Sequence, residues 1–504
     1  MPGESAATAY ENLVSRSREV ALINSCTSVL GWDQETHMPA GGAGHRAAQL
    51  SHLSSLAHER WTDPAVGDWL GCCGEAPVGT WTASEAGNLR EWARGYRRAS
   101  RIPARLVAEL SRTCSLAHGE WVEARKASDF RMFAPRLRLI VGLVRELADA
   151  VGYAEDPYEA LLDEYEPGMR TRGVAGLFDD LAPRLAELIP LGEANSDPAG
   201  LPPGPYPVAL QREFNRRIAE AFGFDFGRGR IDTAVHPFCS TLGPGDVRLT
   251  TRYDERDFTD SLYSVIHETG HGLYEQGLEA SAFGTPAGSA ASLGIHESQS
   301  RLWENHVARG PAFWEFTLPI AAEYFPQLAK CDPAQISRAV NRCRRSFIRV
   351  ESDAIAYDAH IILRFRVETA VINEGLPVEE IPDLWNAEFK SLFGLEVPDD
   401  ARGCLQDVHW SHGSFGYFPT YTLGNLNAAQ LMEAARRAIP GLEDGFARGG
   451  FAPLLEWLRE TVHRHGMTLP PGELMERATG TPTSPAAHLG FLARRASVFT
   501  PERG

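Results

Sequence analysis

The sequence predicts a mainly α-helical fold with one small β element. Three observations carry that expectation. Apolar residues recur at three- and four-residue spacing over most of the chain, prolines stand where helices can start, and only one segment alternates β-branched and polar residues around a tight turn. Over residues 7–30, Leu13, Val20, Leu22, Ile23 and Leu30 mark a face expected to be buried. Pro103 and Pro135 precede helical patterns over 106–122 and 137–151. The longest helical pattern spans residues 333–374, without an internal proline. Residues 191–206, 282–291 and 411–420 are rich in Gly, Pro and small residues and read as loops. Residues 230–253 (RIDTAVHPFCSTLGPGDVRLTTRY) break the helical pattern, with two alternating runs flanking Gly243-Pro244-Gly245 as in a hairpin.

Composition narrows the function classes. Over 504 residues, 49 Lys and Arg against 66 Asp and Glu give a formal charge of −17, which argues against nucleic acids and anionic membranes as partners. No stretch is long and apolar enough to be a transmembrane helix. The opening Met-Pro-Gly-Glu-Ser lacks the basic and apolar regions of a secretory signal, so a cytoplasmic location is expected. Eight cysteines form no C-x-x-C pair and are expected to be reduced and mostly buried. No internal repeat or interdomain linker is evident.

The chemistry is concentrated in residues 267–271, His-Glu-Thr-Gly-His, within the helical run DSLYSVIHETGHGLYEQG. Phe258, Leu262, Val265, Ile266 and Leu273 suggest the buried side of that helix. Residues four apart share a helix face, so His267 and His271 can turn their imidazoles towards one ion. Glu268 is rotated by about 100° from His267, off the metal but beside an open coordination position. A third ligand is expected from the helical run that begins Gly-Ile-His-Glu-Ser-Gln-Ser-Arg at residue 294. Glu297 on an antiparallel neighbour would complete a His₂Glu site; His296 is its rival, with Glu275 and Glu279 weaker ones. Such a site suits metal-assisted amide hydrolysis, with Glu268 taking a proton from water and passing it to the leaving amine.

Several motifs in order resemble those of the M32 metallocarboxypeptidases, the thermostable or Taq-type carboxypeptidases. They are GWDQETHMPAGGAGHRAAQL (31–50), HPFCSTLGPGDVRLTTRY (236–253), HETGHGLYEQG (267–277), GIHESQSRLWEN (294–305) and GCLQDVHW (403–410). IRVESD (348–353) departs from the family's I-R-x-x-A-D at Ser352. The resemblance implies a single catalytic domain over 1–504, with two lobes around a deep groove. It implies His267, His271 and Glu297 as ligands of one divalent ion per subunit, zinc first and cobalt or manganese as alternatives, and Glu268 as general base. It also implies release of single C-terminal residues from peptides with broad tolerance, and a homodimer.

A carboxypeptidase must bind a terminal carboxylate, for which a planar guanidinium is best suited. Arg349, at the centre of its motif, is the first choice, followed by Arg248 and Arg252. His409 and Tyr421 are candidate donors to the oxyanion, and His236 and Gln406 candidate substrate-positioning groups. Two readings compete: a zinc oligopeptidase that cuts internally on the same fold, and a scaffold that binds metal and peptide without turnover. Glu268 weighs against the scaffold, since metal binding alone does not need that carboxylate.

Overall fold

The computed structural model describes residues 5–196 and 200–497. The opening four residues, part of the segment read for a secretory signal, and residues 197–199 of the expected loop lie outside them. The chain divides into two compact units. The first takes the described residues of Met1–Ser100, Leu201–Val340 and Leu431–Pro482; the second takes those of Arg101–Gly200, Asn341–Gln430 and Thr483–Gly504.

Both units are built mainly of helices, as the sequence predicts. In the first, the only sheet among the described residues has three strands in the order β1-β3-β2: β1 (Gly229–Thr233), β2 (Cys239–Gly243) and β3 (Asp246–Thr251). β2 and β3 form the expected antiparallel hairpin, turning through Pro244 and Gly245, where Gly245 takes φ 85°. The earlier run is not one strand. His236 and Pro237 fall between β1 and β2, and β1 instead pairs parallel with β3, from Gly229 opposite Val247 to Thr233 opposite Thr251.

The sheet packs on the helix Phe258–Gly277, which carries the His-Glu-Thr-Gly-His motif. Asp257 caps it by accepting from Thr259 N (2.8 Å), and Phe258, Leu262, Val265, Ile266 and Leu273 are all buried, as expected. Burial extends round the helix. Tyr263 and Tyr274 are buried too, and the Ser261 hydroxyl is clipped by Gln211 and Asn215 of the helix Val208–Phe222. Before its last residue, only one stripe, Asp260, Ser264, His267, His271 and Glu275, keeps some exposure; packing on the other faces holds the side chains in fixed directions, which a metal centre requires.

In the second unit, the expected helices appear as Ala104–Ala127, with Pro103 at its N-cap, and Ala134–Val151, with Pro135 in its first turn. A large apolar core joins Leu137, Phe178, Leu185, Ile362, Phe389 and Trp410.

Other expectations are corrected too, including that of mostly buried cysteines. Leu22 is 61% exposed, because the helix Ala6–Thr36 buries only Ala9, Leu13 and Trp32. The pattern over 333–374 is not one helix: Pro333–Val340 ends, an irregular stretch follows, and a new helix runs Tyr357–Thr369. Asp353 makes the break by accepting the backbone N–H groups of Arg344 (2.9 Å) and Ile355 (2.8 Å) in place of helical partners. The expected loop at 191–206 starts late, since the helix Thr171–Asn195 continues through its first residues. Of the eight cysteines, Cys73, Cys343 and Cys404 are buried, Cys26 is exposed and the rest lie between.

Candidate metal centre and active site

His267 and His271 stand one turn apart on the partly open stripe of the helix Phe258–Gly277, their ring centroids 4.9 Å apart. The helix Leu293–Arg301, capped by the Ser292 hydroxyl on Ile295 N (3.1 Å), brings Glu297 against them. Glu297 Oε2 lies 3.6 Å from His267 Nε2 and 3.4 Å from His271 Nε2. One ligand atom from each of the three residues lies within 4.8 Å of the others, and this is the only such group of metal-binding side chains among the described residues.

The opposite ring nitrogens are engaged. His267 Nδ1 meets Glu304 Oε2 at 3.0 Å, and His271 Nδ1 meets the His296 carbonyl oxygen at 3.1 Å. Those acceptors favour a proton on each Nδ1, so that in the neutral rings both Nε2 lone pairs would be turned towards the Glu297 side. Burial opposes a charge on His267, but Glu297 and Glu304 raise its hold on a proton; once that proton has left, two imidazole nitrogens and one carboxylate oxygen converging in this way suit a divalent transition ion. Burial opposes ionisation of Glu297, but the Arg301 guanidinium and the two imidazoles hold its carboxyl well below the usual range.

The rival ligands have other partners. His296 Nε2 pairs with Glu275 Oε1 at 2.9 Å, and the His296 ring stacks on that of His271 at 4.4 Å. Glu279 caps a short turn by accepting from the Ser281 hydroxyl (2.9 Å). Glu268 is buried next to His267, and burial pushes its carboxyl up to about 7, with His267 opposing and Glu297 adding to the rise. A carboxylate raised towards neutrality is poised to exchange a proton with water.

Arg248 and His236 belong to the same unit. Arg248 donates through Nε and Nη2 to the two Asp246 oxygens (2.8 Å each) and lies 4.2 Å from the Trp32 ring centre. Asp246 therefore holds one edge of its fork. Arg252 pairs with Asp260 at 3.3 Å. His236 is exposed in the segment between β1 and β2.

The other candidates belong to the second unit, where they form one cluster. Arg349, 6% exposed, donates from Nε (3.0 Å) and Nη2 (2.9 Å) to Asp407 Oδ1, and from Nη1 to the Tyr357 hydroxyl (2.9 Å). Arg364 donates from Nε (2.7 Å) and Nη2 (2.5 Å) to Asp407 Oδ2. One buried carboxylate thus serves two guanidiniums. Burial opposes its ionisation, but Arg364 and Arg349 hold the Asp407 carboxyl well below the usual range. The Tyr421 ring lies 5.0 Å from the Arg349 guanidinium carbon. His409 packs on Phe418 at 4.5 Å, and burial lowers it to about 4, so it is neutral at ordinary pH. Gln406 is a backbone clip: its oxygen accepts from Arg349 N (2.9 Å), and its amide donates to the Phe347 (3.0 Å) and Gly403 (3.1 Å) carbonyls.

Sequence reasoning missed Glu304, Arg301, Asp407 and Arg364. A spacing of four and then three residues from Glu297 to Arg301 to Glu304 put charges on one side of an otherwise apolar run, and that was the available signal.

Comparison with known proteins agrees with this architecture. Residues 12–496 match the family described as carboxypeptidase Taq (M32) metallopeptidase. Thermostable carboxypeptidase 1 of Thermus thermophilus is 42% identical over 500 residues, covering 97% of this chain and 98% of the relative. Carboxypeptidase 1 of Bacillus subtilis is 33% identical, covering 95% and 96%. The crystal structure of M32 carboxypeptidase from Deinococcus radiodurans R1 superimposes with a TM-score of 0.94 at 39% identity, covering 98% of this chain and 99% of that one. The chain therefore belongs to the M32 metallocarboxypeptidases and is a hydrolase of peptide bonds.

Proposed function

We propose that this protein removes single residues from the free C-termini of peptides, with broad side-chain tolerance, at a metal held by His267, His271 and Glu297. The observation that carries the reading is the convergence of two Nε2 atoms on Glu297 Oε2, at 3.6 and 3.4 Å, with both Nδ1 atoms engaged behind them. A divalent ion held there, zinc in our reading with cobalt or manganese as alternatives, supplies Lewis acidity to water and to the scissile carbonyl. Glu268 then accepts the water's proton and delivers it to the departing amine. Its burial favours that exchange by raising its affinity for the proton.

Arg349 receives the terminal carboxylate. Three of its five N–H groups are used by Asp407 and Tyr357, which leaves two donors for a ligand. Arg349 and Arg364 share one carboxylate, so one positive charge in the buried cluster stays uncompensated and favours an anion. Tyr421 and His409 line that cluster as neutral donors. In this reading residues 1–504 act as one catalytic domain, in a homodimer located in the cytoplasm.

The test is Glu268→Gln on the metal-loaded enzyme with a short peptide, products followed by mass. Full metal content with turnover reduced by about 100-fold or more is expected. An inactive wild type would favour the scaffold reading, and equal cleavage of amidated and free C-termini would favour the oligopeptidase.

A further inference from the structure

We propose that Arg301 restricts Glu297 to a single coordinating oxygen and that Glu304 fixes the ring of His267, so that these two residues set the metal's coordination number and affinity without touching it. The proposal rests on the reading of His267, His271 and Glu297 as the metal ligands.

Arg301 follows Glu297 by one turn on the same helix, and its Nε donates to Glu297 Oε1 at 2.7 Å. That charge-assisted bond occupies Oε1 and leaves Oε2 as the oxygen facing both imidazoles. The Ser300 hydroxyl lies 3.1 Å from Oε2, but it also donates to the Glu297 carbonyl oxygen at 2.7 Å, within its own helix. A carboxylate held at one oxygen is a one-oxygen ligand, which preserves a coordination position for water or substrate. The guanidinium also draws charge from Glu297, so a bound ion keeps more of its Lewis acidity.

Glu304 completes the frame. It lies in the π-helical segment Leu302–Ala308, a wide turn that departs from ordinary helix geometry and often marks functional sites. Its Oε2 meets His267 Nδ1 at 3.0 Å and Arg301 Nη1 at 3.4 Å, while its Oε1 accepts from Arg309 Nη2 at 3.0 Å. Arg309 in turn lies 3.9 Å from the Tyr263 ring centre and donates to the Val340 carbonyl (2.7 Å). Glu297, Arg301, Glu304 and Arg309 thus alternate in sign along a largely buried ladder that meets the metal-bearing helix at His267 and Tyr263. Such carboxylate–imidazole–metal arrangements orient the ring and strengthen it as a ligand. Arg301 and Glu304 are positioning residues, acting through Glu297 and His267.

The test uses cobalt-substituted full-length protein, whose visible absorption weakens as coordination number rises. In Arg301→Met, freed Oε1 joins the ion: the visible bands weaken, X-ray absorption of the zinc form shows one more oxygen neighbour, and kcat falls with KM little changed. Arg301→Lys, which keeps one donor, restores part of the wild-type spectrum. Glu304→Gln weakens metal affinity by about 10- to 100-fold, read by chelator competition. Circular dichroism identifies any variant that fails to fold, and Arg301→Gln then stands in for the methionine variant. An Arg301→Met spectrum identical to wild type, or unchanged affinity in Glu304→Gln, overturns the proposal. Full metal retention in His271→Ala would instead overturn the ligand assignment beneath it.

Discussion

Gly270 lies against the backbone of Ser300: a Cβ on Gly270 would stand 2.5 Å from Ser300 Cα and 2.7 Å from the Gln299 carbonyl oxygen. Both obstacles are main chain, so no rotamer change can make room. This glycine, between the two histidines of the motif, is what lets the helix carrying Glu297 approach the helix carrying His267 and His271. Gly270→Ala is expected to destabilise the protein by about 1–3 kcal/mol through overpacking. It should also weaken metal binding, because Glu297 is displaced along with the helix. Thermal melting with and without metal, together with chelator competition, checks both effects. Unchanged metal affinity would show that the neighbouring helix can yield at no cost to the site.

Ser352 replaces the alanine of the family motif, and its hydroxyl oxygen is buried without a hydrogen-bond partner among the described residues. Its backbone N–H still donates to the Arg349 carbonyl at 3.0 Å, so the local turn does not depend on the side chain. An unsatisfied buried hydroxyl costs about 1–3 kcal/mol. Ser352→Ala is therefore expected to raise the melting temperature and leave turnover unchanged. A lower melting temperature would reveal a partner for the hydroxyl.

Asp407 is the single carboxylate between Arg349 and Arg364. Asp407→Asn keeps the shape but leaves two buried guanidiniums without a counter-charge, and is expected to cost about 3–5 kcal/mol. The pH dependence has a definite sign. The folded carboxyl titrates below the unfolded one, so the pair's stabilisation is complete above the ordinary carboxylate range and is lost as pH falls through and below it. Acid unfolding of the wild type should be steeper than that of Asp407→Asn. Parallel acid titrations of the two proteins, followed by circular dichroism, would count against the buried ion triad.

What the sequence made legible was local. The histidines lie within one turn, the β2–β3 hairpin is written in Gly243-Pro244-Gly245, and the buried residues of the metal helix follow its period. What it hid depends on distant partners. Arg349 reads as a free fork, yet its acceptor Asp407 lies 58 residues away, in a motif whose aspartate carries no local mark of that pairing. The helical pattern over 333–374 obeys its period, but Asp353 accepts backbone N–H groups that the helix would need. Glu304 is brought to His267 from a π-helical turn, and periodicity of 3.6 does not anticipate such a turn.

Glu368 tests whether burial or hydrogen bonding controls a carboxyl group in the second unit. It is fully buried and has three donors: the Tyr158 hydroxyl (2.7 Å) and Gly416 N (3.0 Å) on Oε2, and Trp410 Nε1 (2.9 Å) on Oε1. The donors favour the charged form, but burial outweighs them and raises the group to about 7. Between the ordinary carboxylate range and that value, the folded state binds more protons than the unfolded one. Stability from this group therefore falls as pH rises through the window and is level above it. From pH 5 to pH 8 the loss amounts to about 2–3 kcal/mol at 1.36 kcal/mol per pKa unit. Glu368→Gln cannot ionise, so its urea midpoint relative to wild type should rise over the same interval. A difference that does not change with pH would mean that the three donors keep Glu368 charged throughout.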